Sequence, residues 1–370
     1  MRVIEASSWK SDAAVRASRE IMKMSRVYAD FERACQKFLH DLLLLSEGDR
    51  LLIYIDREPG EVVADDIAAC AKSLGIAAEI LQLRQYSSLP DMIDAMCNTI
   101  AAGNYRAVCE LSDRYFYPTR VWGQAIGKGC RLFSTGSMDR AAFIRCIGEV
   151  NHEKLAGFGM QMHGLMMKAR RVSLETGSGT RISCRMNTGS LSGRILARLK
   201  LTAMSQVWQP TGRLGKGGGA TFLGGQLSFL PIPGTIEGTA VIDGFMWPPD
   251  EVGHIQEPVI LDIRQGQVVS IGGDPVKSGA LEQWLTGKER AIEHFCIGFN
   301  PGARVSMNIG ESERAFGHIT IGLGKYPFHT DGVMVKPRLT INGEVLMDNN
   351  SFPHESLSSL EGQLRYADRS

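Results

Sequence analysis

Over the first 168 residues the hydrophobic positions switch repeatedly between two spacings. Residues 11–46 carry apolar side chains at helical intervals, through Phe31, Phe38 and Leu42, with Ser11 placed to cap the first turn; this predicts a helix. GDRLLIYID (48–56) is a short apolar run between polar residues and predicts a buried strand. GEVVADDIAACAKSLG (60–75) returns to the helical period and stops at Gly75. The alternation continues with a strand at AAEILQL (77–83), a helix near 90–102, a strand at YRAVCEL (105–111), a helix near 118–127 and a strand at CRLFST (130–135). Strands alternating with helices predict a parallel sheet covered by helices on both faces. EKLAGFGMQMHGLMMKA (153–169) closes this regime as a helix whose methionines suit packing better than ligation.

Past that helix the period shortens. RRVSLETGSGTRISCRM (170–186) predicts two strands around a Gly-Ser-Gly turn. Strand-like runs then follow one another between Gly and Pro turns: GTAVIDG, PVILDI, QVVSIGG, FGHITIGLG, HTDGVMV and PRLTING. The expectation is an α/β domain over 1–168 followed by a strand-rich α+β domain over 169–370. No GxGxxG follows the first strand, so nothing marks the first half as a dinucleotide binder. GRLGKGGGATFLGG (212–225) looks like a phosphate loop, but no Ser or Thr follows its Lys in the required frame. A flexible loop or an active-site lid suits it better.

Composition narrows the function without naming it. At 370 residues the chain is long for one core, and 44% hydrophobic with 22% charged residues is ordinary for a globular protein. A net charge of +1 gives no field that would draw nucleic acid or a membrane surface. The eight cysteines (35, 70, 97, 109, 130, 146, 184 and 296) form no CxxC pair, which points to buried free thiols in a reducing compartment. The N-terminal stretch has no apolar core of the signal-peptide kind, and apolar runs such as Leu42 to Leu45 are far too short to span a bilayer. A cytoplasmic protein is expected.

Candidate chemistry gathers late in the chain. In KYPFHTDG (325–332), His329 and Asp331 are two apart, so in a strand they share a face. That pair suits half of a metal site, and equally a surface strand with two polar residues facing water. Five of the eight histidines lie after residue 250: His254, His294, His318, His329 and His354. Glu293 precedes His294, while Glu311 and Glu313 precede His318. His294, His329 and Asp331 fit a two-His-one-carboxylate triad, which leaves adjacent positions open and favours Fe(II).

Six segments, in order, carry a resemblance: ETGSGT, GGQLSFLPIPGTIEGTAVIDG, EPVILDIRQGQVVSIGG, HFCIGFNPGA, ERAFGHITIGLG and FHTDGVMVKPRLTING. Over most of 170–345 the chain resembles the thermophilic metallo-aminopeptidases and their relatives, the 2,5-dihydroxypyridine 5,6-dioxygenases. Aminopeptidases of this kind bind two metals with several carboxylates. The resemblance puts Gln226 and His294 where two of those carboxylates fall, and Thr320 where a family histidine falls. Too few anionic ligands remain for two divalent ions. His294, His329 and Asp331 match the mononuclear pattern of the dioxygenases.

The resemblance therefore implies a mononuclear Fe(II) enzyme that cleaves a hydroxylated aromatic or N-heteroaromatic ring, such as 2,5-dihydroxypyridine, with O2. Its site would lie near the domain interface. His318 would be the acid/base, with Tyr326 as second choice. Glu293, Glu311 or Glu313 would accept from the ligand histidines' second nitrogens. A homodimer is implied as well. Three readings stay open beside it: a metallo-aminopeptidase with altered ligands, a non-catalytic binding protein that kept the fold, and Glu293 rather than His294 as ligand.

Overall fold

The computed structural model describes residues 28–58, 63–114, 116, 117, 119–188, 204–215, 218–325 and 329–365. The helix expected over 11–46 falls outside it up to residue 27. Its described part is helical over 28–36 and continues as a wider π-type turn over Lys37–Leu42.

Four parallel strands follow: β1 (Arg50–Ile55), β2 (Ala77–Gln82), β3 (Ala107–Leu111) and β4 (Arg131–Ser134), in the order β2-β1-β3-β4. Helices α1 (Ala64–Ser73), α2 (Leu89–Ala102) and α3 (Arg120–Gly127) make the crossovers. Ser88 caps α2 by accepting from Asp91 N, and Gly75 leaves α1 with a positive φ of 73°. Alternate residues of each strand go to opposite faces. Leu51, Ile53 and Ile55 pack with Phe38 and Ile67, while Leu52 and Tyr54 pack with Met96 and Trp122. Helices cover both faces, as the alternating pattern predicts. After α4 (Arg140–Phe143) comes the long α5 (His152–Lys168), whose Phe158, Met162 and Met166 are buried in a core.

The chain then forms the hairpin β5 (Arg171–Glu175) and β6 (Arg181–Arg185), followed by β7 (Gln206–Trp208). β8 (Gly219–Phe222) returns to the first sheet and runs parallel to β4, pairing Arg131 with Gly219 and Ser134 with Phe222. A strand thus stands at 219–222, inside the expected loop. Ala220 and Phe222 pack against the core that α3 shares, which gives this glycine-rich stretch an apolar side to bury.

The remaining strands are β9 (Gln226–Leu230), β10 (Glu237–Ile242), β11 (Phe245–Trp247), β12 (Gly253–His254), β13 (Val259–Arg264), β14 (Gln267–Gly273), β15 (Ile292–Gly298), β16 (Ile319–Leu323), β17 (Thr330–Met334), β18 (Arg338–Ile341) and β19 (Glu344–Asp348). They complete two seven-stranded antiparallel sheets, ordered β14-β13-β10-β6-β5-β18-β19 and β12-β11-β17-β16-β15-β9-β7. One core joins them, with Leu174, Ile182 and Leu261 from the first and Phe229, Phe295, Ile297 and Ile321 from the second. Burying each such side chain contributes roughly 1.5–3 kcal/mol. Because Phe295 and Ile297 turn into that core, His294 and Cys296 must turn to the opposite face. No helix among the described residues is long and apolar enough to cross a membrane.

Candidate metal centre

The opposite face of the second sheet is read off its register. One row across the strands holds His294 on β15, Gly322 on β16 and Asp331 on β17. The next row holds Ser228, Cys296, Thr320 and Val333. His294 and Asp331 are two strands apart, about 9.5 Å in backbone terms. Their side chains meet because Gly322 between them has none. A Cβ there would stand 2.5 Å from His294 Cε1 and 2.8 Å from its Nε2. A β-bulge between Ile292 and His294 adds one residue, Glu293, to β15. Both neighbours are thereby brought to the cluster, His294 to Asp331 and Glu293 to His329.

Asp331 Oδ1 lies 3.1 Å from His329 Nε2 and 3.3 Å from His294 Nε2. The two imidazole rings stack 5.0 Å apart at 21°. His329 Nδ1 lies 2.7 Å from Gly324 O and 3.2 Å from a Glu293 carboxylate oxygen. Both of those groups only accept, so Nδ1 carries a hydrogen, and Nε2 faces Asp331 with a site that takes either a proton or a metal ion. A lone pair and a carboxylate oxygen at 3.1 Å repel unless a proton or a metal cation lies between them. Burial opposes charge on His329, yet Asp331 and Glu293 outweigh it and push its pKa up to about 10. Burial likewise opposes charge on His294, but Cys296 and Asp331 raise its pKa well above the ordinary value. Burial would raise Asp331; the two imidazoles hold it well below the usual carboxylate range.

These residues fit a divalent transition metal. Two imidazole nitrogens and a carboxylate oxygen are the donor set that suits Fe(II) with open positions left over. Ligands about 2.1 Å from an ion and at right angles around it stand about 3 Å from one another, close to the separations seen here. A second cluster, His294, Cys296 and Glu313, also brings its donor atoms within 4.8 Å of one another and shares His294 with the first.

The triad opens into a cavity of about 500 Å³ lined from both halves of the chain. Tyr117, Trp122 and Phe222 form an aromatic wall of it, with ring centroids 4.9–5.9 Å apart. Trp122 donates its indole N–H to the buried Glu110 carboxylate at 3.1 Å, which leaves its apolar face for the cavity. Trp208 meets His294 edge-on at 6.1 Å.

The other expected site residues fare differently. His318 does not line this cavity; its Nδ1 bonds Phe316 O at 2.9 Å, and burial lowers its pKa. It precedes β16 by one residue, a step beyond the ladder that carries the cluster. Tyr326 lies outside the described residues. Of the three carboxylates expected behind the ligands, Glu293 is the one that meets His329. Glu311 instead pairs with Arg145 at 2.7 Å and accepts from Arg304 N and Ser306 Oγ. Glu313 lines the cavity beside Arg314, 3.2 Å away. Gln226 donates from its amide nitrogen to Cys296 Sγ at 2.9 Å and to Ser228 Oγ at 3.2 Å. The Thr320 hydroxyl is buried without a hydrogen-bond partner among the described residues.

Sequence reasoning missed Gly322, Cys296 and the aromatic wall. The Thr-Ile-Gly-Leu alternation could have flagged Gly322 as a gap on the His294 face; nothing local could have flagged the wall.

No protein-family profile matches the chain, and no curated protein sequence does. Its fold is nevertheless that of solved enzymes. The structure of 2,5-dihydroxypyridine dioxygenase from Pseudomonas putida KT2440 superposes with a TM-score of 0.65 at 13% identity, covering 90% of this chain and 99% of that one. Wild-type AmpT from Thermus thermophilus superposes with a TM-score of 0.59 at 10% identity, covering 88% and 99%. These stand for the two groups that the sequence motifs resemble. At such identity the likeness establishes the fold.

Proposed function

We propose that the chain is a mononuclear Fe(II)-dependent dioxygenase that opens a hydroxylated aromatic or N-heteroaromatic ring, with 2,5-dihydroxypyridine as the type substrate. The observation that carries this reading is the convergence of His294 Nε2, His329 Nε2 and Asp331 Oδ1 on one point of a cavity wall. Fe(II), when bound there, supplies adjacent open positions and the redox chemistry by which an electron-rich ring and O2 react.

The chain's own residues do the rest. Glu293 and Gly324 O hold His329 in the tautomer that offers Nε2. Gly322 keeps the space through which His294 reaches Asp331. The wall of Tyr117, Trp122 and Phe222 orients a flat ring. Tyr117 takes the donor role expected of His318 or Tyr326. Burial raises its pKa, so its phenol keeps the proton at neutral pH and can donate to a ring oxygen.

One observation favours a second reading, a two-metal hydrolase of the aminopeptidase kind: the cluster of His294, Cys296 and Glu313. A second ion there would have to share His294 with the first. The amide of Gln226 and the hydroxyl of Thr320 supply none of the anionic charge two ions require.

Oxygen uptake after anaerobic loading with Fe(II) tests the proposal. Consumption that depends on 2,5-dihydroxypyridine or a related hydroquinone-like ring, and that is lost in His329→Ala, is the expected result. No uptake with any such ring, together with peptide hydrolysis by protein loaded with zinc or cobalt, would move the assignment to the second reading.

A further inference from the structure

We propose that the ring this cavity takes carries an anionic substituent, an arene or heteroarene carboxylate, and that Arg213 binds it. The inference rests on the triad as the ring-binding end of the cavity.

The first argument is charge. Four side chains that are ordinarily charged line the cavity besides the two imidazoles: Arg213, Glu313, Arg314 and Asp331. Arg314 faces Glu313 at 3.2 Å through Nη1, which also donates to Gly310 O at 2.6 Å, while its Nε donates to Leu223 O at 2.8 Å. Asp331 is held between the two imidazoles. Arg213, itself exposed to solvent, makes no ion pair among the described residues, so its guanidinium is a cavity cation without a carboxylate partner. A planar fork of this kind pairs best with a carboxylate, through two parallel hydrogen bonds.

The second argument is that the turn bearing Arg213 is held in place. Its backbone N–H donates to Thr211 Oγ1 at 3.2 Å, and Thr211 Oγ1 donates in turn to Arg213 O at 3.1 Å. The preceding Gly212 donates to Thr221 Oγ1 on β8 at 3.2 Å. Gly212 has φ +68°, and a Cβ on it would stand 2.5 Å from Gly224 N, so only glycine lets this turn lie so close to the chain. The turn that bears Arg213 is thus fastened to the strand that supplies Phe222. The third argument is shape. Trp122 and Phe222, 4.9 Å apart and tilted by 36°, offer apolar ring surface, and a cavity of about 500 Å³ has room for a ring and a substituent beyond it.

The test compares 2,5-dihydroxybenzoate with 1,4-dihydroxybenzene, which lacks the carboxylate. Binding to the full chain is measured anaerobically by tryptophan fluorescence and calorimetry, as purified and after chelator treatment. The wild type should bind the carboxylate about tenfold more tightly or better in both states. Arg213→Gln should bring the two rings within about twofold, and Arg213→Lys should keep an intermediate preference. Equal binding of the two rings by the wild type, or an undiminished preference in Arg213→Gln, would overturn the inference. The two proposals fail separately. Ring-dependent oxygen uptake without carboxylate preference removes Arg213 and leaves the dioxygenase. A preference that follows Arg213 in protein that consumes no oxygen does the reverse.

Discussion

Two of the carboxylates buried in this protein behave in opposite ways. Glu110, on β3 of the parallel sheet, has neutral partners: it accepts from Tyr54 Oη, from Trp122 Nε1 at 3.1 Å and from Ser134 Oγ at 2.7 Å. Burial raises its pKa to about 7, and those donors offset only part of that. Asp331, on β17, is buried as deeply but faces two imidazoles, and its pKa is held well below the ordinary range. Depth alone therefore does not set the charge. Neutral donors let a carboxylate keep its proton and serve as an internal strut; imidazole nitrogens on the same oxygen create a place for a cation.

The largest contrast should appear in metal content. Asp331→Asn removes the only carboxylate of the triad, and the purified variant should carry essentially no metal by elemental analysis, whereas Glu110→Gln should carry as much as the wild type. Gly322→Ala should come next. Its added methyl overlaps the His294 ring, and metal affinity should fall at least about 100-fold while circular dichroism stays native. Glu293→Gln keeps the size of the His329 partner but weakens its pull on Nδ1–H; a loss of about tenfold in metal affinity is expected by competitive chelation.

The smallest effect sharpens the other half of the comparison. The folded pKa of Glu110, about 7, lies above its ordinary 4.5, so the folded state binds the proton more tightly. Its contribution to stability is therefore complete in acid and fades as pH rises from about 4.5 through about 7, amounting to about 3 kcal/mol in all. Urea denaturation of the wild type at pH 5, 6, 7 and 8 should include this decline. Glu110→Gln should show a flatter profile and gain on the wild type toward pH 8. Parallel profiles would mean that Glu110 is ionised throughout.

Much of this was legible in the sequence, and the legible part has a physical reason. A strand of a parallel sheet buried on both faces reads as a mostly apolar run, so β1, β3 and β4 stand out between amphipathic helices. His329 and Asp331 were legible as a pair because the strand period places i and i+2 on one face. What stayed hidden depends on register between distant segments. β8 looks like a glycine loop because its partner, β4, lies far back in the chain. Gly322 matters only once β15 and β17 are known to flank β16. Tyr117 and Trp122 join the site from the other sheet system. His318 shares its parity with Thr320, but parity does not reveal where a ladder ends.

The central claim is one cation at His294, His329 and Asp331. The most direct measurement is the metal content of anaerobically purified wild-type protein beside that of His329→Ala. The account predicts about one iron per chain, lost in the variant. Two zinc or cobalt ions per chain, or metal retained in full without His329, would contradict it.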